Sequence, residues 1–462
     1  MTSRTMNRWV VVAGGILVQL CLGAIYAWSA FTRRLTLEPF EFSAAQTQIV
    51  FAVGLACFAT SMALVAGRWQ ARVGPRRVAL TGGLVLGLGY LLAGFAPNGP
   101  GAFWVILLGV GVLGGCGIGL AYVCPIAALV KWFPDKKGFI TGLAVAGFGF
   151  GALIWVKLTG GFQFGPIDLT PGWDGLYGDG WSVQAIFRLY GVLFAVLVGL
   201  GGLVMVNPPE GFVPRGWTPP PATSASGGVD FTVRQMVRTP QYWALFSTFA
   251  FTATAGLMVI GVIRLFGVDA LTANDIPEAD AAVMTGTAMG LFLAIFNGIG
   301  RIAWGTISDK IGRKESIIVM CLAQAAIMVV FKPLGATEWG LYVGAAIIGF
   351  NFGGNFALFP AATADLFGNK NVGSNYPWIF LAYGVGGIVG PILGGRMGDA
   401  HAWLWAFVPA GVVCLAGAAV TILVLKPPRA PAPAPESRSH SNLRPTEDAP
   451  PESSRELVEQ SS

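Results

Sequence analysis

Residues Leu291 to Lys314 read LFLAIFNGIGRIAWGTISDKIGRK. The stretch opens as an apolar run, carries Arg301 before that run ends, and breaks into a dense polar turn from Asp309 to Lys314. On a helix, Gly290, Ala294, Asn297, Arg301 and Gly305 share one stripe at steps of three and four, while Phe292, Ile295, Ile299 and Ile302 fall on the other side. A small-and-polar stripe opposite a bulky apolar one suits a membrane helix that faces its neighbours on one side and lipid on the other. Asp309 belongs near the membrane surface, and Arg301 lies eight residues deeper, roughly 12 Å at helical rise. The bland alternative is an arginine snorkelling to the headgroups. That is a long reach for an inward-facing side chain, so Arg301 is the first candidate for a ligand contact.

Composition agrees with a membrane setting. Of 462 residues 54% are hydrophobic and 11% charged, less than half the charge content of an average soluble domain. Mean hydropathy is +0.65. The charges cluster between apolar runs long enough to span a bilayer, and the short alternating segments of a β-barrel are missing. The net charge of +6 lies in short loops between spans, so it reads as an orientation signal and not as nucleic-acid binding. The six cysteines sit inside apolar runs without a CxxC, and the only two histidines, His401 and His440, are far apart. No disulfide, metal site, cofactor or histidine-based catalysis is therefore expected, and the P-loop pattern is absent. An enzyme is disfavoured because no nucleophile–base pair or metal cluster stands out.

Working outward, hydropathy picks out about six spans before a polar connector rich in Pro, Ser and Gly, and about six after it. The expected organisation is an N-terminal bundle over residues 1–206, a linker over 207–241, a C-terminal bundle over 242–425 and a disordered tail over 426–462. Lysine and arginine crowd one side, among them Arg4, Lys131, Lys136, Arg234, Lys310 and Lys370, while the opposite loops include the acidic 269–280. The basic side is read as cytoplasmic, with both termini inside. The loop after the second span carries Gly67, Arg68, Gly74 and Arg76. Its counterpart in the second half carries Gly305, Asp309, Gly312 and Arg313. Glycines at matching offsets, each ending in bases, indicate a duplicated half, the layout of a two-bundle transporter.

That repeated loop resembles the signature of the major facilitator superfamily. The second copy is nearly complete; the first has Ala71 where the family carries an acidic residue. The stretches Cys21–Ser29, Ala121-Tyr122 with Lys131–Gly138, and Gly147–Gly151 look like the oxalate/formate antiporter family and the related bacterial monocarboxylate transporters. The resemblance implies a twelve-helix, all-α fold of two six-helix bundles that moves small organic anions by alternating access. In the oxalate transporter of that family, an arginine on the eighth helix and a lysine on the eleventh hold the dianion. Arg301 matches the arginine, and Tyr383 stands where the lysine would be. One planar fork suits one carboxylate, so a monocarboxylate such as lactate, pyruvate or formate is expected, with an oxalate/formate-type exchanger as the alternative. In the animal monocarboxylate transporters an aspartate that takes a proton occupies the position of Asn297. Asparagine cannot titrate and no carboxylate lies mid-span, which favours exchange over proton symport.

The expected binding set is Arg301, Asn297, Tyr122, Tyr383, Tyr26 and Gln48, with Asn351 and Asn355 interrupting the tenth span and Asp365 ending it. Partners are then the organic anion and the lipid bilayer of the inner (plasma) membrane, with no nucleic acid and a monomeric carrier. Rivals are a sugar or drug carrier, which needs no central arginine, and a nutrient sensor, which would carry a larger signalling domain than this short tail.

Overall fold

A computed structural model describes residues 6–134, 137–160, 175–209, 212–214, 230–368 and 371–426. Most of the expected linker, the expected tail from residue 427, and Arg4, Lys136 and Lys370 lie outside the described residues. Every regular element described is helical. Twelve helices are long and apolar enough to cross a membrane. In chain order they are α1 (Arg8–Thr36), α2 (Ala44–Val73), α3 (Pro75–Ala93), α4 (Ala102–Trp132), α5 (Gly142–Gly160) and α6 (Val183–Leu203), then α7 (Pro240–Thr272), α8 (Glu278–Ile311), α9 (Arg313–Leu334), α10 (Glu338–Phe367), α11 (Val372–Asp399) and α12 (Trp403–Val424). All belong to one packed unit, Met1–Pro428.

Most helices run past the apolar windows that identify them, because polar caps extend them at the ends. Ser43 opens α2 with a reciprocal capping box, its hydroxyl accepting from Gln46 N at 3.0 Å while Ser43 N donates to Gln46 Oε1 at 2.8 Å. Ser182, Thr239 and Thr337 cap α6, α7 and α10 more simply, each hydroxyl accepting from the backbone N–H three residues on. Hydropathy does not register such residues, although they satisfy the first orphan N–H groups of each helix.

The stripe predicted for α8 is visible in its burial. Ala294, Asn297 and Arg301 are buried, whereas Ile299 and Ile302 are 41% and 52% exposed on the surface that lipid would cover. Two single-glycine turns join the matching helix pairs of the repeat. Gly74 lies between α2 and α3 at φ +83°, and Gly312 between α8 and α9 at φ +98°. Only glycine takes these angles without a Cβ clash, which explains the shared glycine offset. Beyond the turns the two copies differ. Arg313 pairs with Asp309 at 2.5 Å and with Asp365 at 3.2 Å, and bonds the Ser308 hydroxyl. Arg68, Arg76 and Arg77 of the first copy are exposed, as is Ala71 at the acidic position.

Contacts between the first and second halves are backbone-close. α2 packs on α11 and α5 on α8. At the α5–α8 crossing a Cβ at Gly149 would lie 3.1 Å from Asn297 Oδ1 and from Gly298. Within the second half, a Cβ at Gly300 would run into the backbone of Phe350 on α10. Gly300→Ala is therefore expected to lower the apparent Tm of the purified protein, since overpacking costs about 1–3 kcal/mol. Gly67→Ala, with nothing within 4 Å of the new methyl, serves as the control and should not lower it. Equal Tm values for the two variants would contradict this account of the α8–α10 contact.

Candidate functional site

The site is built where α8 crosses α5. Arg301 and Asn297 stand one turn apart on the inward stripe, and Arg301 Nε donates to Asn297 Oδ1 at 3.1 Å. The close glycine crossing brings the α5 backbone within reach, so Nη1 donates to Val145 O at 2.9 Å. Nη2 has no hydrogen-bond partner. The guanidinium carbon lies 4.0 Å from the centroid of Phe356 and 5.5 Å from that of Phe148. Arg301 is 2% exposed, and among the described residues no carboxylate pairs with it. A desolvated cation over an aromatic face gains about 2 kcal/mol, whereas an uncompensated buried charge costs several. The carbonyl, the amide and the rings offset part of that cost, and one donor remains unpaired.

Three tyrosines from different helices converge on this cation. Tyr26 belongs to a 3-10 turn, Gly23–Ala27, inside α1. Its hydroxyl is 3.1 Å from that of Tyr383 on α11, a bond between the first and second halves. Tyr122 on α4 lies close enough to Arg301 to feel its charge, as do Tyr26 and Tyr383. The Tyr122 carbonyl accepts from Gln19 Nε2 at 3.1 Å. Phe58 and Phe148 close the enclosure, with Tyr122 edge-on to them at 5.1 and 5.3 Å. All three tyrosines are buried.

Gln48 does not join this group. It lies one turn into α2, where its Nε2 donates to Gly261 O on α7 at 3.1 Å and its flank meets Gly395 on α11. It is a contact between halves away from Arg301, because a residue that early in α2 sits at the helix end. Asn355 Oδ1 accepts from Thr252 at 2.8 Å, and the Nδ2 atoms of Asn351, Asn355 and Asn297 have no partners. Asp365 pairs with Arg313 at the end of α10.

Phe148, Phe356 and the Val145 carbonyl are absent from the sequence-derived set. Phe148 was within reach, since it lies in the quoted Gly147–Gly151 stretch. A backbone carbonyl leaves no residue-type signal. Arg264 was also passed over: it lies near the end of an apolar run, yet it is buried like Arg301.

Comparisons with known proteins agree with this architecture. The model of the Major Facilitator Superfamily matches residues 15–376 and again 281–455. An MFS-type transporter of Escherichia coli K12, YhjX, is 30% identical over 83% of this chain and 86% of its own. Apicoplast pyruvate carrier 1 of Toxoplasma gondii is 26% identical over 81% of both chains. The oxalate:formate antiporter of Oxalobacter formigenes is 25% identical over 91% of this chain and 92% of its own. Among solved structures, a bacterial homolog of the human lysosomal transporter Spinster superposes with a TM-score of 0.62 over 90% of this chain and 96% of its own at 15% identity, a likeness of fold. The chain is a multi-pass membrane protein and belongs to the major facilitator superfamily of transporters.

Proposed function

We propose that this transporter carries small monocarboxylates, such as lactate, pyruvate or formate, across the inner (plasma) membrane by alternating access. The carrier works as a monomer with both termini in the cytoplasm, and the bundles 1–206 and 242–425 rock about the site. The observation that carries the reading is the enclosed Arg301 guanidinium with one unpaired nitrogen and no carboxylate partner. Relatives named for pyruvate and for oxalate and formate support the substrate class.

The geometry suggests how binding couples to movement. A carboxylate meeting Arg301 end-on takes Nη2 and competes with Val145 O for Nη1. Val145 is on α5 and Arg301 on α8, so this exchange trades a bond between the bundles for a bond to substrate. Asn297 fixes Nε and hence the plane of the fork. The Tyr26–Tyr383 hydroxyl pair is a second contact that must part when the bundles separate. Tyr122 lines the space, while Gln48 works as a hinge contact and not as a ligand. With Tyr383 buried among aromatic rings in place of a second cation, a monocarboxylate is the better fit than a dianion such as oxalate.

Arg301→Lys keeps the charge but loses the planar fork. Proteoliposome uptake should fall about tenfold or more, the loss of one charge-assisted bond, with unchanged expression and Tm. Uptake at the wild-type rate would remove Arg301 from the binding role.

Exchange is favoured over proton symport by the neutral Asn297 beside Arg301. Preloaded internal substrate should accelerate uptake more than an imposed pH gradient does. In Asn297→Asp a carboxylate would share Arg301 with the substrate and be released to bind a proton as substrate arrives, so uptake should become dependent on the pH gradient. Uptake by the unaltered protein that is driven by protons without internal substrate would make symport the correct account.

A further inference from the structure

A second group of cations meets at the end of the molecule opposite the Gly74 and Gly312 turns. Arg264, near the end of α7, is 9% exposed. Its Nη2 donates to Ala282 O on α8 at 3.2 Å. Its Nη1 faces the end of α5, where a Cβ at Gly160 would lie 3.0 Å from that nitrogen and 3.7 Å from the ring of Tyr177. The Tyr177 hydroxyl is buried and has no hydrogen-bond partner. Arg34, at the end of α1, stands with its guanidinium carbon 5.0 Å from the centroid of the same ring. Arg34 and Arg264 both act on the Tyr177 hydroxyl by charge, and Arg33 and Arg34 both act on Arg264.

Two of the nearby acids are committed elsewhere. Glu278 pairs with Arg33. Asp269 accepts from the Trp403 indole at 3.0 Å and lies 2.8 Å from His401 Nδ1. Among the described residues neither Arg34 nor Arg264 forms an ion pair with a carboxylate. Snorkelling to headgroups accounts for Arg34, which is exposed. It does not account for Arg264, which is buried and turned toward α5 and α8. Like charges held together at a helix end are unfavourable unless an anion joins them.

We propose that Arg34, Tyr177 and Arg264 form a second binding station for a small carboxylate, at the mouth of the route to Arg301. Arg264 and the Tyr177 hydroxyl would donate to the anion, and Arg34 would add charge from the rim. The helix α5 borders both sites, with Val145 at Arg301 and Gly160 at Arg264. Those fifteen residues span roughly 22 Å at helical rise. A carboxylate leaving water at this end would meet a cation before it reaches the central one, which raises its local concentration and its entry rate. That the ligand is the transported anion rests on the proposed function above.

Two measurements separate this proposal from that reading. The first is equilibrium binding of labelled pyruvate to the full-length protein in lipid nanodiscs. Arg301→Gln should retain weaker binding, and adding Arg264→Gln should weaken it about fivefold or more. Tyr177→Phe and the exposed Arg34→Gln, each in the Arg301→Gln background, should weaken it in the same direction if Arg264→Gln fails to fold. Binding that is absent in Arg301→Gln, or indifferent to all three second changes, would overturn the station. The second measurement is sided transport by otherwise unaltered protein. Arg264→Gln or Arg34→Gln should raise KM about fivefold for anion offered at the face that bears Glu278, with kcat within about twofold and KM at the other face unchanged. An equal rise at both faces would also overturn it. A protein that transports no carboxylate would refute the Arg301 reading, while pyruvate binding that depends on Arg264 would uphold the station by itself.

Discussion

A guanidinium buried between two halves of the molecule constrains everything around it. Arg301 holds one bond along its own helix to Asn297, one across to the α5 backbone at Val145, and rests on the ring of Phe356. Each contact offsets part of the cost of burying the charge, and none neutralises it. The arrangement therefore keeps a strong preference for an anion while remaining folded without a fixed counter-charge. It also ties the two halves together through an atom that a bound anion would claim.

That contact exists because glycines let the helices approach. Gly149 and Gly298 thin the α5–α8 crossing, and Gly300 and Gly353 do the same between α8 and α10. At the far end the halves are held differently. The carboxylate of Asp399 on α11 accepts from Ala44 N and Ala45 N at the start of α2, at 2.6 and 3.0 Å, where the helix dipole also favours a negative charge. Arg33 of α1 pairs with Glu278 of α8 nearby. Polar contacts at this end, with the Arg301–Val145 and Tyr26–Tyr383 contacts in the middle, join halves whose remaining facing surfaces are largely aromatic and glycine-rich, which suits alternating access.

Much of this was legible in the sequence. The inward stripe of α8 is written in its spacing, and the paired turns in the offsets of Gly74 and Gly312, whose positive φ angles only glycine tolerates easily. Arg301, Asn297, Tyr26, Tyr122 and Tyr383 are brought together, although they lie on four helices far apart in the chain. Gln48 stands apart, because polarity inside a span marks a buried partner without saying which one. The Val145 carbonyl could not be read at all, since every residue has one. Arg264 was missed for a different reason: near the end of an apolar run an arginine resembles an ordinary interfacial anchor, and only packing shows that it turns inward.

The central claim, that an enclosed arginine makes this a carrier of small carboxylates, is tested most directly by uptake into liposomes. The purified protein would be offered a panel of labelled lactate, pyruvate, formate, oxalate and a neutral sugar, with and without unlabelled anion trapped inside. The account predicts saturable uptake of at least one monocarboxylate, faster with trapped anion, and competition among the carboxylates. Uptake of the neutral sugar with no competition from any carboxylate would contradict it.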